Sequence, residues 1–359
     1  MESSKELRRE WTNAASSVIE SGVFIKGNQV NMFEKNWSKK LRIDYSLGVS
    51  NGQDGLIIAL QAVGVEQGDL VVVPAHSFIA THNAIISIGA IPYSIDVNIH
   101  GLIDVSKLNT INEKIKAIIV VHMHGKVCDM NAVLEWTIPN NIAIIEDCSQ
   151  SHLAVYNNQY AGTFGDIGVF SLYPTKNLGA LGDAGIVVTN NLDLYKKMYK
   201  LSNYGTTEGN KYDHLNYGLN HRLDEMQAAF LNINLHYLES WNQRRREIAK
   251  MYFNGLALYK KNFLQEYDLN HAWHHFCLLV EDRNNFRADL QERGVETEIH
   301  YPNVAATEAE KILNLPSKSF PIAFKIASET LSLPISPWHS NEQIEYVISS
   351  VNKIKRLKS

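Results

Sequence analysis

Phe170-Ser-Leu-Tyr-Pro-Thr-Lys-Asn-Leu-Gly-Ala-Leu-Gly-Asp-Ala-Gly185 decides how the whole chain is read. It places Lys176 in a turn-rich segment between two apolar runs, 167–173 and 185–189. Ser171 precedes the lysine by five residues, and Gly179, Gly182 and Gly185 follow it. Upstream, Ile144-Ile-Glu-Asp-Cys-Ser-Gln150 is an apolar run ending in carboxylates and an amide. A strand-end acid followed by a lysine in a glycine-rich loop is the layout needed when a lysine forms a Schiff base and a carboxylate holds a pyridinium nitrogen. An isolated lysine is ordinarily a solvated loop residue; the pattern around Lys176 argues for more.

Working outward, strands and helices alternate from about residue 45. Runs 45–50, 70–74, 91–95, 116–123, 142–147, 167–173 and 185–189 read as strands, several of them continuously apolar as in buried parallel sheets. Stretches 5–22, 29–41, 54–63 and 81–88 read as helices. This alternation predicts a mainly parallel sheet covered by helices on both faces. Beyond residue 190 the pattern turns helical, with 223–235 and 237–256 as two helices. The C-terminal third mixes strands at 273–281 and 297–300 with helices at 285–293 and 341–355. The expected division is a large domain over 1–239 and a smaller α/β domain over 240–359.

The length of 359 residues suits about two domains. Hydrophobic residues make up 45% and charged residues 20%, as in ordinary globular proteins. A net charge of −4 argues against nucleic acid as a partner. Arg244-Arg-Arg246 reads as a solvated helix face. No membrane span and no secretory leader are legible. Cys128, Cys148 and Cys277 are odd in number and lack metal-ligand spacing, which fits a reducing cytoplasm and no metal.

Gly48-Val-Ser-Asn-Gly52 matches the nucleophile elbow of serine hydrolases and lies between a strand and a helix. The competing reading is a tight turn whose backbone N–H groups bind a phosphate at a helix N-terminus, leaving Ser50 without catalytic duty. Phe78, in Pro74-Ala-His-Ser-Phe-Ile-Ala-Thr81, follows a buried strand. There it could stack on a flat ring, because ligands of open α/β sheets bind at the carboxyl ends of strands. Asp147 is the acid to pair with a pyridine nitrogen. Glu146 then points to the opposite strand face, Gln150 reaches a ring hydroxyl, and His152 is structural or a nearby donor.

With these residues in hand, the chain resembles the DegT-type sugar-nucleotide aminotransferases, which are pyridoxal-phosphate (PLP) enzymes of fold type I. The segments that carry the resemblance are Glu146-Asp-Cys-Ser-Gln-Ser-His152, Phe170–Gly185, Asn203-Tyr-Gly205 and Asn220-His-Arg-Leu-Asp-Glu-Met-Gln-Ala-Ala229. The resemblance implies a seven-stranded large-domain sheet, with PLP carried covalently on Lys176. It implies Asp147 on the pyridine nitrogen, Gln150 near the ring hydroxyl and Phe78 on the ring face. Gly52, Gln53 and Ser171 would contact the phosphate. Asn220 would come from the neighbouring subunit of a homodimer, and His300 and Tyr301 would line the sugar pocket. A lysine at 176, rather than the histidine of related dehydratases, implies transamination.

Pro74-Ala-His-Ser-Phe78 and Leu238-Glu-Ser-Trp-Asn-Gln-Arg244 are most similar to enzymes that aminate C3 of dTDP-3-keto-6-deoxyhexoses, with L-glutamate as donor and amino-sugar or polysaccharide biosynthesis as setting. C4 amination of a dTDP-, UDP- or GDP-linked 4-keto sugar is the alternative. The chain departs from the family pattern at Gly182-Asp-Ala-Gly185, where Gly-Asp-Gly-Gly is common. It departs again at Asn303-Val-Ala-Ala-Thr307, where many relatives carry Pro-x-His-x-Gln.

Overall fold

The computed structural model describes residues 4–207, 212, 214 and 216–354. Two helices open the chain, α1 (Lys5–Ser21) and α2 (Asn28–Leu41). Ser4 caps α1 by accepting the Leu7 N–H, and Gly22 ends it in the left-handed conformation. Val30, Phe33, Trp37 and Leu41 recur at helical spacing and give α2 its buried stripe.

The alternating region follows as β1 (Tyr45–Val49), α3 (Gly52–Ala62), β2 (Leu70–Pro74), α4 (Ala80–Ser87), β3 (Ile91–Ile95), β4 (Ile115–Val121), α5 (Met130–Asn140) and β5 (Ala143–Asp147). A short hairpin, β6 (Val155–Tyr156) and β7 (Gln159–Tyr160), leads to β8 (Ile167–Ser171), β9 (Gly185–Thr189) and α6 (Leu192–Ser202). Seven of these strands form one sheet in the order β1-β9-β8-β5-β4-β2-β3. Only β9 runs antiparallel to its neighbours. The carboxyl ends of β1, β2, β4, β5 and β8 therefore share one edge of the sheet. Asn51, Phe78, Asp147 and Ser171 follow or close these strands.

Glu146 and Asp147 take opposite faces of β5, as strand alternation requires. The Glu146 carboxylate is fully buried and accepts the Gly162, Phe164 and Gly165 N–H groups at 2.7–2.8 Å, with His122 Nε2 at 2.9 Å. It fastens the turn before β8 to β5, a structural duty.

The periodic stretches 223–235 and 237–256 run on as one 31-residue helix, α7 (Glu225–Gly255). No glycine or proline interrupts them, so nothing stops the helix at residue 236. Its first half buries Ala228, Leu231 and Leu238 in the core around the sheet. Its second half buries Ile248, Ala249 and Tyr252 in another cluster with Phe276, Phe286, Leu331 and Ile344. That cluster involves β10 (Phe276–Leu279), α8 (Arg283–Glu292), β11 (Thr330–Leu333) and α11 (Asn341–Lys353), while α9 (Ala305–Ile312) and α10 (Pro321–Glu329) lie between α8 and β11 in the chain. A third cluster sets Val304, Phe320 and Ile326 against Ala75 and Val97, close to the strand ends.

Two expectations are corrected here. The strand expected at 297–300 reduces to a single bridge between Glu298 and Ser332. The arginine run is not a solvated face: Arg245 is 7% exposed, and its Nη1 donates to the carbonyls of Trp273, His274 and Ile335. One residue of a three-residue run necessarily turns inward when both sides of the helix are packed. No helix among the described residues is long and apolar enough to cross a membrane.

Candidate active site

The loop after β8 folds back on itself. Lys176 N–H donates to Tyr173 O (2.9 Å), and Ala180 N–H donates to Leu172 O (2.8 Å). A side chain at Gly179 would place its Cβ 2.5 Å from Pro174 O, so only glycine allows this return. Lys176 is half-buried and borders a cavity of about 530 Å³ at the carboxyl edge of the sheet. Burial pushes its ammonium down to about 8, against the opposing attraction of Asp147. At pH 7 roughly a tenth of the amine is then neutral, and the fraction rises through pH 8.

Asp147 ends β5 and faces the same cavity. Thr81 Oγ1 donates to its Oδ2 (3.1 Å) and the Ser149 N–H to its Oδ1 (3.1 Å). Both oxygens are oriented, and among the described residues neither lies within ion-pair distance of a protein cation. Phe78 stands on the cavity wall with 55% of its surface exposed, its ring centroid 5.4 Å from that of Tyr301. An aromatic ring left open beside a cavity is a ready surface for a flat ligand.

The start of α3 forms the other end. Asn51 caps it by accepting the Asp54 N–H (2.9 Å), and Gly52 and Gln53, the first residues after the cap, border the cavity. A Cβ on Gly52 would lie 2.8 Å from Ser171 Cβ, so glycine lets the helix start press against the end of β8. A helix N-terminus beside Ser149 and Ser171 is suited to a phosphate. Ser50 donates instead to the Asp54 carboxylate, which also lies 3.0 Å from His221 Nδ1. Among the described residues no imidazole bonds Ser50, so the hydrolase constellation is not assembled.

Gln150 bridges the floor: its Oε1 accepts the His124 N–H (2.6 Å) and its Nε2 donates to Tyr301 OH (2.9 Å). His300 also borders the cavity, stacked on His275 at 3.7 Å, with His275 in turn 4.1 Å from His274. Burial lowers His300 to about 4 and holds His274 and His275 far below their usual range, so this histidine wall is neutral. His152 is buried and directs Nε2 at Ser171 O (3.0 Å) rather than into the cavity. Asn220 alone of the expected site residues does not border the cavity; it is exposed and bridges Asn203.

Sequence reading missed Thr81, His274 and His275. Thr81 lies in the Pro74–Thr81 segment that follows β2, two strands along the sheet from β5 and Asp147. The pair His274-His275 carried no spacing signal, because only the packing of β10 brings it to Lys176.

A lysine amine, an oriented carboxylate, an exposed ring and a helix N-terminus with hydroxyls surround one space, and this set fits pyridoxal phosphate. Replacing Phe78 by alanine is expected to weaken PLP binding about tenfold, the value of one aromatic contact. Its exposure means the thermal midpoint should stay within a few degrees. Fluorescence or absorbance titration with PLP checks this.

Residues 5–352 match the DegT/DnrJ/EryC1/StrS aminotransferase family, and the chain belongs to it. A relative from Aneurinibacillus thermoaerophilus, dTDP-3-amino-3,6-dideoxy-alpha-D-galactopyranose transaminase, is 40% identical over 352 residues, covering 96% of this chain and 95% of its own. Among solved structures, S. venezuelae DesV in complex with a ketimine intermediate superposes with a TM-score of 0.92 at 35% identity, covering 97% of this chain and 95% of its own. NtdA from Bacillus subtilis with bound cofactor PMP gives 0.91 at 29% identity, covering 99% and 83%. The fold is that of these aminotransferases, and the protein is an aminotransferase acting in amino-sugar formation.

Proposed function

We propose that this aminotransferase moves an amino group from L-glutamate to C3 of a dTDP-linked 3-keto-6-deoxyhexose. The carrying observation is the shared cavity of Lys176 and Asp147, with the lysine held near 8. PLP is the cofactor this site suits. Gly52, Gln53 and Ser171 would hold its phosphate, Phe78 its face, Gln150 its hydroxyl and Asp147 its ring nitrogen, with Lys176 as the covalent attachment. When bound, PLP supplies an electron sink for a carbanion at the donor's Cα.

The chain's own residues do the rest. Neutral Lys176 Nζ would take the proton from the donor's Cα and pass it to the bound cofactor; in the reverse half of the cycle it would take a proton back as the amine and deliver it as the ammonium to the sugar carbon. Asp147, fixed by Thr81 and Ser149 N–H, keeps a negative charge where positive charge on the ring nitrogen is required. The anchored helix N-terminus fixes the ligand while the lysine moves. His300 and Tyr301 form the wall on the sugar side. Asn220 lies outside the cavity of its own chain, which supports its supply across a homodimer. The dTDP and C3 assignments are supported by the name of the Aneurinibacillus relative.

Incubation with L-glutamate and a panel of 3-keto and 4-keto sugar nucleotides tests this, with the product located by NMR. An amine at C3 of the dTDP sugar is expected. An amine at C4 would move the assignment to the alternative, and no amine with any keto sugar would overturn the reading.

A further inference from the structure

We infer that one polar stripe of α7, Gln227, Asn234 and Asn242, is the positioning device that sets where Lys176 sits in the cavity. The inference rests on Lys176 being the reacting lysine. Spacings of seven and eight residues are each about two helical turns, so the three side chains share one side of α7. Each meets the lysine loop at a successive point. Gln227 Oε1 accepts the Leu181 N–H (3.0 Å), Asn234 Nδ2 donates to Gly179 O (2.7 Å), and Asn242 Oδ1 accepts from Asn177 Nδ2 (2.8 Å).

Asn242 reaches further. Its Nδ2 donates to His152 O (2.8 Å), and His152 Nε2 donates to Ser171 O (3.0 Å). Both ends of the segment 171–177 are thereby tied to one helical residue. Asn177, beside the lysine, has both ends of its amide engaged: its Nδ2 also donates to Ala272 O (2.8 Å), and its Oδ1 accepts from His274 Nδ1 (2.9 Å). Asn177, Asn234 and Asn242 are all at least 98% buried. Asparagine in the interior of a buried helix loses helix propensity and must be desolvated. Two such residues on one stripe, each matched to the loop, specify the loop's position in a way that apolar packing does not. Because α7 enters both major cores, the lysine's placement is coupled to the seating of the C-terminal region.

The test compares Asn242→Ala and His152→Phe with wild type, all as full-length cofactor-free protein. His152→Phe cuts only the link to Ser171 O and keeps an aromatic ring beside Trp37 and Phe170. The rate of Lys176 acylation against pH, quantified on its peptide by mass spectrometry, reports the lysine's titration. We expect it to move upward from about 8, by roughly one unit, as the loop loosens and the amine gains water. With cofactor and substrates supplied, kcat should fall roughly tenfold while the donor KM stays within about twofold. Folded variants that titrate as wild type and keep its kcat, with only a lower thermal midpoint, would overturn the proposal. If Asn242→Ala fails to fold, His152→Phe decides. The acylation readout needs neither cofactor nor sugar, so a failed transaminase assay leaves it intact.

Discussion

Replacing Lys176 by alanine should lower turnover by roughly 10,000-fold or more, since the proposed attachment point and the proposed proton carrier would both be lost. The fold should survive. Burial depresses the ammonium to about 8, below its unfolded value of about 10.4, so the charged form disfavours folding at neutral pH. That cost is fully present below about pH 8 and fades as pH rises to the unfolded value. The alanine variant's thermal midpoint at pH 7 should therefore not fall below that of the cofactor-free wild type. The same pKa gives the wild-type profile its sign: kcat should rise with pH through about 8 if Lys176 acts as the base. Single-turnover rates from pH 6 to 10 check this, and a residual rate within tenfold of wild type in the alanine variant would refute the role.

Asp147→Asn is the second large effect. The amide keeps the size of the side chain and can still accept from Thr81, but carries no charge. Removing a preorganised charge of this kind is expected to reduce kcat by about 100-fold or more at saturating PLP. The packing of β5 is unchanged, so the thermal midpoint should move little. Near-normal turnover in this variant would remove the electrostatic role. Its neighbour separates the two faces of the strand: Glu146 bonds three backbone N–H groups and His122, so its loss would act on folding instead.

The sheet was legible because its strands are buried on both faces and read as continuous apolar runs, such as Ile118–Val121 and Ile144–Ile145. Lys176, Asp147, Phe78 and the Gly52 turn were legible because each closes or follows a strand whose carboxyl end faces the site. The antiparallel course of β9 was not, since its pattern Gly185–Thr189 is as apolar as that of the sheet's parallel strands. Arg245 looked solvated because its charge outweighed the helical phase of Ile248 and Tyr252 nearby. The contact of the histidine wall with Asn177, through His274, and the Asn177–Asn242 link join residues 97 and 65 positions apart. Nothing local encodes such pairs; only the course of α7 and the placement of β10 bring them together. The short bridge at Glu298 failed as a strand because it meets β11 at a single residue.

That Lys176 and Asp147 form a PLP site exchanging amino groups is a proposal open to direct test. Its most direct test is the visible absorbance of the purified protein with added PLP, before and after L-glutamate and without any sugar. Wild type should show a visible band that bleaches on glutamate addition, and Lys176→Ala should show none. No band in wild type, or a band indifferent to every amino acid tried, would contradict it.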